Sequence, residues 1–466
     1  MTVVSLPFLL VFGAATLALR SPFGRAHRLS SLATASLIFA AASTEAIGDA
    51  VCLLAMAATG WFAVMAVRRN KNAWLLAGCL TVIVVEFIAV RQLLPHGEMS
   101  SWIQPSWPLY GPVLGSTIGL SYVMFRILHL IVDAHGDELP ADVGLLRYLT
   151  YLFCYLTFLA GPIQRFPDFA DGCREAPTGP HLAAIRRFGP TVVTGFFKFA
   201  VIAGLFFELF NWTQAPGNGW PPAVDLALGL LAYALYLYAS FSGYTDIVRG
   251  FGGLVGLVPP ENFDRPYLSA DFLDLWTRWH ISLSEWFKLY VFNPLTKALI
   301  AANNRPAVVP YLGAIGFFVT FLLMGLWHGL SPRYALYGLT LGLGVSLNKL
   351  YQVAMGQWLG RRSYQALARH SLYAAVARAL AVGYFVLALA FLWLVDPAAA
   401  GTPVDWLAAT GLLLLSLLVL CTLADRVPAL DRTMALPAAT MIQLALLLIY
   451  LFGAHETAPP LLYQFF

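Results

Sequence analysis

Long apolar runs separated by short polar loops dominate this chain. Most runs approach the roughly 20 residues that a helix needs to cross a bilayer. The pattern predicts an all-α polytopic membrane protein with roughly ten to twelve crossings. The runs lie at about 2–19, 31–47, 50–67, 73–90, 108–134, 190–211, 222–239, 333–349, 374–395, 405–423 and 436–453.

Composition agrees with this pattern. Hydrophobic residues make up 59% of the chain and charged residues 11%, whereas soluble domains carry about 25% charged residues. No block of soluble-domain size interrupts the runs, so we expect one membrane-embedded domain over residues 1–466. The net charge of +4 is small and lies mostly in short loops, which favours membrane orientation over nucleic-acid binding.

Basic residues cluster in two early loops. Arg20, Arg25 and Arg28 follow the first run, and Arg68 and Arg69 follow the third. The positive-inside rule then places the N-terminus outside and both loops in the cytoplasm. The five cysteines show no metal spacing, so the sequence predicts neither a disulfide framework nor a metal site.

Two features interrupt the apolar runs before residue 170. Arg126 and His129 lie three residues apart, and so on one helical face, within an apolar run. They form either an interior pair or an interfacial one whose side chains reach towards water. Gly161 and Pro162 break the segment 144–170, which predicts either a re-entrant turn or a helix end.

The segment 271–290 is amphipathic and aromatic. Read as one helix, it gathers Trp276, Trp279 and Trp286 on one face, with most of its charges elsewhere. So much charge does not suit a bilayer crossing, and the pattern favours a helix at the membrane interface or beneath the bundle. His280 falls at the edge of the aromatic face, where a structural and a functional role both remain open.

His328 stands out more strongly. No charged residue lies between Arg305 and Arg333, and His328 closes the apolar span in that interval. Gly325 and Gly329 leave room beside it for another backbone or a ligand. An ionisable residue at membrane depth is a candidate functional residue, and a neutral imidazole suits general-base work on a hydroxyl. A packed structural histidine remains the alternative.

Several short motifs follow one another along the chain. They are Gly161–Arg165, Phe241–Asp246, Asn262–Tyr267, Leu275–Ser282 with Trp286-Phe287, and Met324–Gly329, with a weaker one at Tyr463–Phe466. Together these motifs resemble those of the membrane-bound O-acyltransferase family. The resemblance covers roughly residues 110–350 and is greatest to the bacterial branch with alginate O-acetyltransferase and the teichoic acid D-alanyl transferase.

The resemblance implies a multi-helix bundle with interfacial or re-entrant helices and a central tunnel. It implies that His328 deprotonates an acceptor hydroxyl, while His280 lines the donor end and orients the thioester or assists proton transfer. The residues expected to bind donor or substrate are Trp276, Arg278, Trp279, Ser282, Trp327 and Lys288.

The same resemblance implies the substrates and the location. An acetyl or D-alanyl group would pass from a cytoplasmic thioester, either acyl-CoA or the phosphopantetheine of an acyl carrier protein, to a hydroxyl of a cell-envelope polymer. The acceptor would be a teichoic acid or an exopolysaccharide, and no tightly bound cofactor or metal is expected. The protein would be multi-pass in the bacterial plasma (inner) membrane, surrounded by lipid and with no nucleic-acid partner.

Some alternatives stay open. The sequence separates neither the two acyl groups nor the two donors, and it leaves open whether small membrane or periplasmic proteins take part. A transporter or flippase of lipid or glycan would also carry polar residues in its spans. A non-catalytic partner of an acyltransferase complex would tolerate the loss of both histidines.

Overall fold

A computed structural model describes residues 6–43, 47–93, 119–140, 143–174, 180–215, 219–394, 401–424 and 436–452. Within these ranges the regular structure is helical, and the β pairing is one isolated antiparallel bridge between Phe263 and Trp279. The expected all-α class is therefore confirmed. The C-terminal motif at 463–466 and the start of the run at 108–134 lie outside the described residues.

Seven helical segments in the described ranges are long and apolar enough to cross a membrane, which agrees with a multi-pass protein. Helices at three further predicted runs, the first two and the last along the chain, are apolar but shorter than 18 residues. The seven segments are Gly48–Arg69, Ala73–Val90, His181–Gln214, Pro222–Val255, Val309–His328, Ser371–Trp393 and Pro403–Thr422.

The chain divides into two compact units, and its organisation as one domain over residues 1–466 stays a prediction. The first unit comprises the described parts of Met1–Phe196 and Gly243–Pro260. Its helices are α1 (Leu6–Arg20), α2 (Pro22–Ala26), α3 (Arg28–Ser43), α4 (Ile47–Arg69), α5 (Ala73–Leu93), α6 (Leu120–His135), α7 (Leu145–Leu152), α8 (Phe166–Arg174) and α9 (His181–Phe196).

The second unit comprises the described parts of Phe197–Ser242 and Glu261–Pro459. It has π-helical segments at Phe197–Ile202 and Lys288–Phe292 and a 3-10 turn at Pro266–Leu268. Its α-helices are α10 (Ala203–Gln214), α11 (Pro222–Val255, shared with the first unit), α12 (Phe272–Arg278), α13 (Ile281–Phe287), α14 (Asn293–Ala302), α15 (Val309–His328), α16 (Pro332–Trp358), α17 (Arg361–Ala368), α18 (Ser371–Trp393), α19 (Pro403–Ala424) and α20 (Leu436–Phe452).

Helix α11 is longer than the predicted run, which ended at residue 239. Polar residues follow that point and lower the hydropathy without ending the helix. Ser240, for example, is buried and donates a hydrogen bond from Oγ to the carbonyl of Leu237 at 3.2 Å, one turn earlier. A hydroxyl satisfied by its own helix can be buried at little cost, so the hydropathy pattern underestimates the length of the helix.

Arg126 and His129 form the interior pair that one of the two interpretations expected. Both side chains are fully buried in the first unit. Arg126 donates hydrogen bonds to the carbonyls of Tyr151, Leu152 and Thr157 at 2.6–2.9 Å. Helix α7 ends at Leu152, so the following buried segment is irregular and needs donors for its carbonyls. Arg126 supplies them.

Candidate active site

The segment 271–290 is not one helix, and that prediction was wrong. Helix α12 ends at Arg278 and α13 begins at Ile281, with His280 between them in the left-handed region at φ 44° and ψ 53°. The loop before α12 causes the break. Ile281 donates its N–H to the carbonyl of Asn262 at 3.0 Å, so the backbone turns where a helix would have continued.

The side chain of Asn262 collects three hydrogen bonds at this break. Its Oδ1 lies 3.2 Å from Nδ1 of His280, 3.1 Å from the backbone N of Ser282 and 2.9 Å from Oγ of Ser282. Asn262 and His280 are each 1% exposed. Ser282, a predicted donor-binding residue, therefore uses its hydroxyl to hold Asn262.

His280 lies in an apolar, aromatic environment. The ring of Phe241 packs edge-on against the imidazole, with ring centroids 4.8 Å apart. Burial lowers the pKa of His280 well below its usual value, and a charge on His328 would lower that pKa further. His280, one of the two predicted catalytic histidines, is therefore neutral at ordinary pH.

His328 is the last residue of α15 and is 2% exposed. Its imidazole packs beside Trp327, with ring centroids 4.5 Å apart, and meets Tyr337 edge-on at 5.5 Å. Tyr334 lies parallel to it at 6.3 Å. Three aromatic rings therefore surround His328 and restrict the positions that the imidazole can take.

Other parts of the protein fill the space beside the two glycines that flank His328. Gly325 lies against the backbone of Gly338 in α16, and Gly329 lies against the ring of Tyr334. The expectation that these glycines admit another backbone is confirmed for Gly325. They hold the end of α15 against α16 and so fix the position of His328.

Two predicted tryptophans, Trp276 in α12 and Trp279 directly after it, are buried in aromatic contacts. Trp276 meets Phe321 with centroids 4.6 Å apart, and Trp279 meets Phe385 at 4.8 Å. Trp279 also forms one wall of a largely apolar cavity of about 290 Å³. The residue immediately before His280 therefore borders an apolar space.

Arg278 and Lys288 differ from the other predicted residues because both form ion pairs. Arg278 bridges Asp264 at 3.3 Å and Asp274 at 3.1 Å. Lys288 pairs with Glu285 at 3.0 Å, and both side chains are more than half exposed. A donor that binds either cation would have to compete with these carboxylates.

Sequence reasoning gave no role to Asn262, Phe241, Tyr334 or Tyr337, although all four contact or surround the histidines. Asn262 was noticed as the start of a motif, but its role depends on a contact across 18 residues, which periodicity does not reveal. Within the described ranges, no group of three His, Cys, Asp or Glu side chains could hold a metal ion.

Comparison with known proteins identifies relatives of this chain. A teichoic acid D-alanyltransferase of Bacillus subtilis (strain 168) is 33% identical over 239 residues, 51% of this chain and 59% of that protein. A probable alginate O-acetylase AlgI of Pseudomonas fluorescens is 33% identical over 241 residues, 50% of this chain and 44% of that protein. The chain spans about half the length of the curated relatives it matches.

A family model gives the broadest match. The model described as the membrane-bound O-acyltransferase family matches residues 114–387, which is more than half of the chain. The matched region contains Asn262, both buried histidines and the glycine contact between α15 and α16. The chain therefore belongs to the membrane-bound O-acyltransferase family.

Proposed function

We propose that this protein is an O-acyltransferase that moves an acyl group from a cytoplasmic thioester to a hydroxyl of an extracytoplasmic cell-envelope polymer. The observation that carries the proposal is the pair of buried histidines, His280 and His328, within the region matched by the family. The relatives' names support the acceptor class, since one is a teichoic acid D-alanyltransferase and another a probable alginate O-acetylase.

In the proposed reaction, His328 acts as the general base. It takes the proton of the acceptor hydroxyl as the oxygen forms a bond to the thioester carbonyl carbon. The tetrahedral intermediate then collapses, the carbon–sulfur bond breaks, and the departing sulfur receives the proton from the His328 imidazolium. The products are an ester and a free thiol, and no proton is gained or lost overall.

The surroundings of His328 suit this role. The imidazole is 2% exposed among Trp327, Tyr334 and Tyr337, so bulk water has little access to the base. Excluding water matters because a thioester activated in an open site would be hydrolysed instead of transferred. We assign the donor end to His280, with Trp276 and Trp279 as its aromatic wall.

The acyl group is D-alanyl or acetyl in this proposal, and the donor is an acyl carrier protein or acyl-CoA. Both donors carry a phosphate-bearing phosphopantetheine arm, so a cation near the entrance would favour either one. Lys288 is exposed and lies eight residues after His280, which makes it our candidate for that contact. The proposed location is the bacterial plasma membrane, with the acceptor on its outer side.

The test replaces His328 in the living bacterium. A strain lacking the gene is complemented with wild type, His328→Ala or His370→Ala, and the base-labile acetate and D-alanine on isolated envelope polymers are measured. Loss of a general base lowers rates by about 10²–10⁴-fold, so we expect His328→Ala to leave under about one hundredth of the ester. His370 is exposed ahead of α18, and its variant should match wild type.

Two results would contradict the proposal. One is an ester level in His328→Ala equal to that of wild type, at equal amounts of membrane protein. The other is a wild-type complement that restores neither acetyl nor D-alanyl ester. A transporter or a non-catalytic partner would give the first result, because neither needs an imidazole to take a proton.

A further inference from the structure

The hydrogen bonds of Asn262 determine which nitrogen of His280 carries the proton. A backbone N–H can only donate, so the Asn262 atom 3.1 Å from the backbone N of Ser282 is the amide oxygen. That same oxygen lies 3.2 Å from Nδ1 of His280. Because a carbonyl oxygen only accepts, Nδ1 must donate and therefore carries the hydrogen. In a neutral imidazole, the lone pair is then on Nε2.

We propose that Asn262 is a positioning residue that holds His280 as its Nδ1–H tautomer, so that Nε2 serves as an acceptor at the donor end of the acyl-transfer site. This inference rests on the proposed function and adds to it the direction of hydrogen bonding at Nε2 of His280. A neutral His280 of this tautomer cannot donate from Nε2 to the thioester carbonyl or to the departing sulfur. Protonation of the sulfur then falls to the imidazolium of His328.

Asn262 also fixes the backbone that presents His280. Its carbonyl accepts the N–H of Ile281 at 3.0 Å, and the neighbouring residue Phe263 forms the bridge with Trp279. A non-glycine residue in the left-handed region is uncommon and needs surrounding contacts to hold it there. One residue therefore sets both the backbone turn at His280 and the rotation of its ring.

Charged and uncharged groups around His280 act on it differently. His328 acts electrostatically on it, while Phe241 and Asn262 are uncharged neighbours from α11 and the loop before α12. In the loop and α12, Asp264 and Arg278 pair with each other at 3.3 Å. A neutral amide beside Nδ1 orients His280 without stabilising its charged form, whereas a carboxylate there would stabilise the imidazolium.

This difference gives a test with two variants of Asn262 in the full-length protein reconstituted in lipid nanodiscs. Asn262→Leu keeps the approximate size and removes the acceptor, so we expect kcat to fall at least about tenfold with a smaller change in KM. Asn262→Asp keeps an acceptor and adds charge. It should recover activity at high pH, with the acid limb of kcat/KM moved to higher pH than in wild type.

Ser346→Ala is the matched control, because Ser346 is also buried in the second unit and its Oγ donates to the carbonyl of Ala314 at 2.7 Å. A purely structural loss should affect this variant and Asn262→Leu alike, in protein yield and not in pH profile. Unmoved pH profiles and near-wild-type kcat in both Asn262 variants would overturn the inference.

A measurement on the wild type needs no Asn262 variant at all. Nitrogen-15 NMR of histidine-labelled protein, with His280→Gln to assign the signal, reports which ring nitrogen is protonated. We expect a protonated Nδ1 and a bare Nε2, and the reverse assignment would overturn the inference. If the NMR result fails while His328→Ala is still inactive, the proposed function stands without this detail. If wild type transfers no acyl group, the proposed function itself fails.

Discussion

Gly325 of α15 lies so close to Gly338 of α16 that a methyl group on Gly325 would stand 2.4 Å from the Cα atom of Gly338. A side chain on Gly338 would in turn meet the carbonyl oxygens of Phe321 and Leu322 at 2.9 Å. Both contacts involve backbone atoms, which cannot rotate away as a side chain can. Since His328 follows Gly325 by less than one turn, this contact between the two helices positions the proposed base.

We therefore expect Gly325→Ala to separate α15 from α16 and to displace His328. Overpacking of this kind costs about 1–3 kcal/mol, and a small displacement of a base costs further activity. Thermal unfolding in mild detergent should show lower stability, and acyl transfer should fall by more than the loss of folded protein explains. Gly313→Ala on the same helix is the control, because nothing lies within 4 Å of its added methyl group. Equal behaviour of the two variants would contradict the argument.

Arg126 gives a second prediction, in the first unit. Its guanidinium donates to the carbonyls of Tyr151, Leu152 and Thr157. Arg126→Met would leave these buried acceptors without their donor, at about 1–3 kcal/mol each. We expect little or no folded protein on size-exclusion chromatography. The control is Arg174→Met, at a half-exposed arginine paired with Asp171, and it should elute normally. A normal profile for Arg126→Met would show that other groups donate hydrogen bonds to these carbonyls.

The sequence predicted the helical class and singled out His328 because each leaves a local signal, while the catalytic role of both histidines stays a prediction. Apolar length identifies the spans, and an imidazole in a charge-free span is conspicuous without any structure. The break at His280 left no such signal. Aromatic residues recur at spacings of three and four across it, so the sequence pattern of a single helix continues although the helical backbone is interrupted there. The cause is the carbonyl and side chain of Asn262, 18 residues earlier in the chain.

Charge was harder to interpret from sequence than hydrophobicity. Lys288 and Arg278 were expected at the donor end because the resemblance to the acyltransferase family implied it. Both instead have carboxylate partners in the structure. Sequence shows which charges are present, but pairing depends on side-chain geometry across a turn or a loop. For these two residues a role in donor binding stays a prediction.

Burial of His280 makes stability depend on pH. The pKa of His280 is lowered in the folded protein, while in the unfolded chain it is near its ordinary value of about 6.5. Below that pH the unfolded state binds more protons, so stability is lost as pH falls, by at most about 1.4 kcal/mol per pH unit for one proton. The melting temperature should fall less between pH 7 and pH 5 in His280→Gln than in wild type. Parallel curves would show that another group dominates.

Lys288 and Glu285 offer the sharpest test of the proposed anionic donor. The Lys288 ammonium group forms an ion pair with the Glu285 carboxylate at 3.0 Å, and both side chains are more than half exposed. A phosphate would therefore compete with Glu285 for the ammonium group. Exposed pairs are worth about 0.2–1 kcal/mol, which corresponds to a change in KM of up to about fivefold. Lys288→Gln should raise the KM for the thioester donor and Glu285→Gln should lower it. Both differences should shrink at high salt, because screening weakens exposed charges, and Lys288→Arg should stay close to wild type because the cation is kept. A KM that responds to neither substitution would place the donor's phosphate away from Lys288.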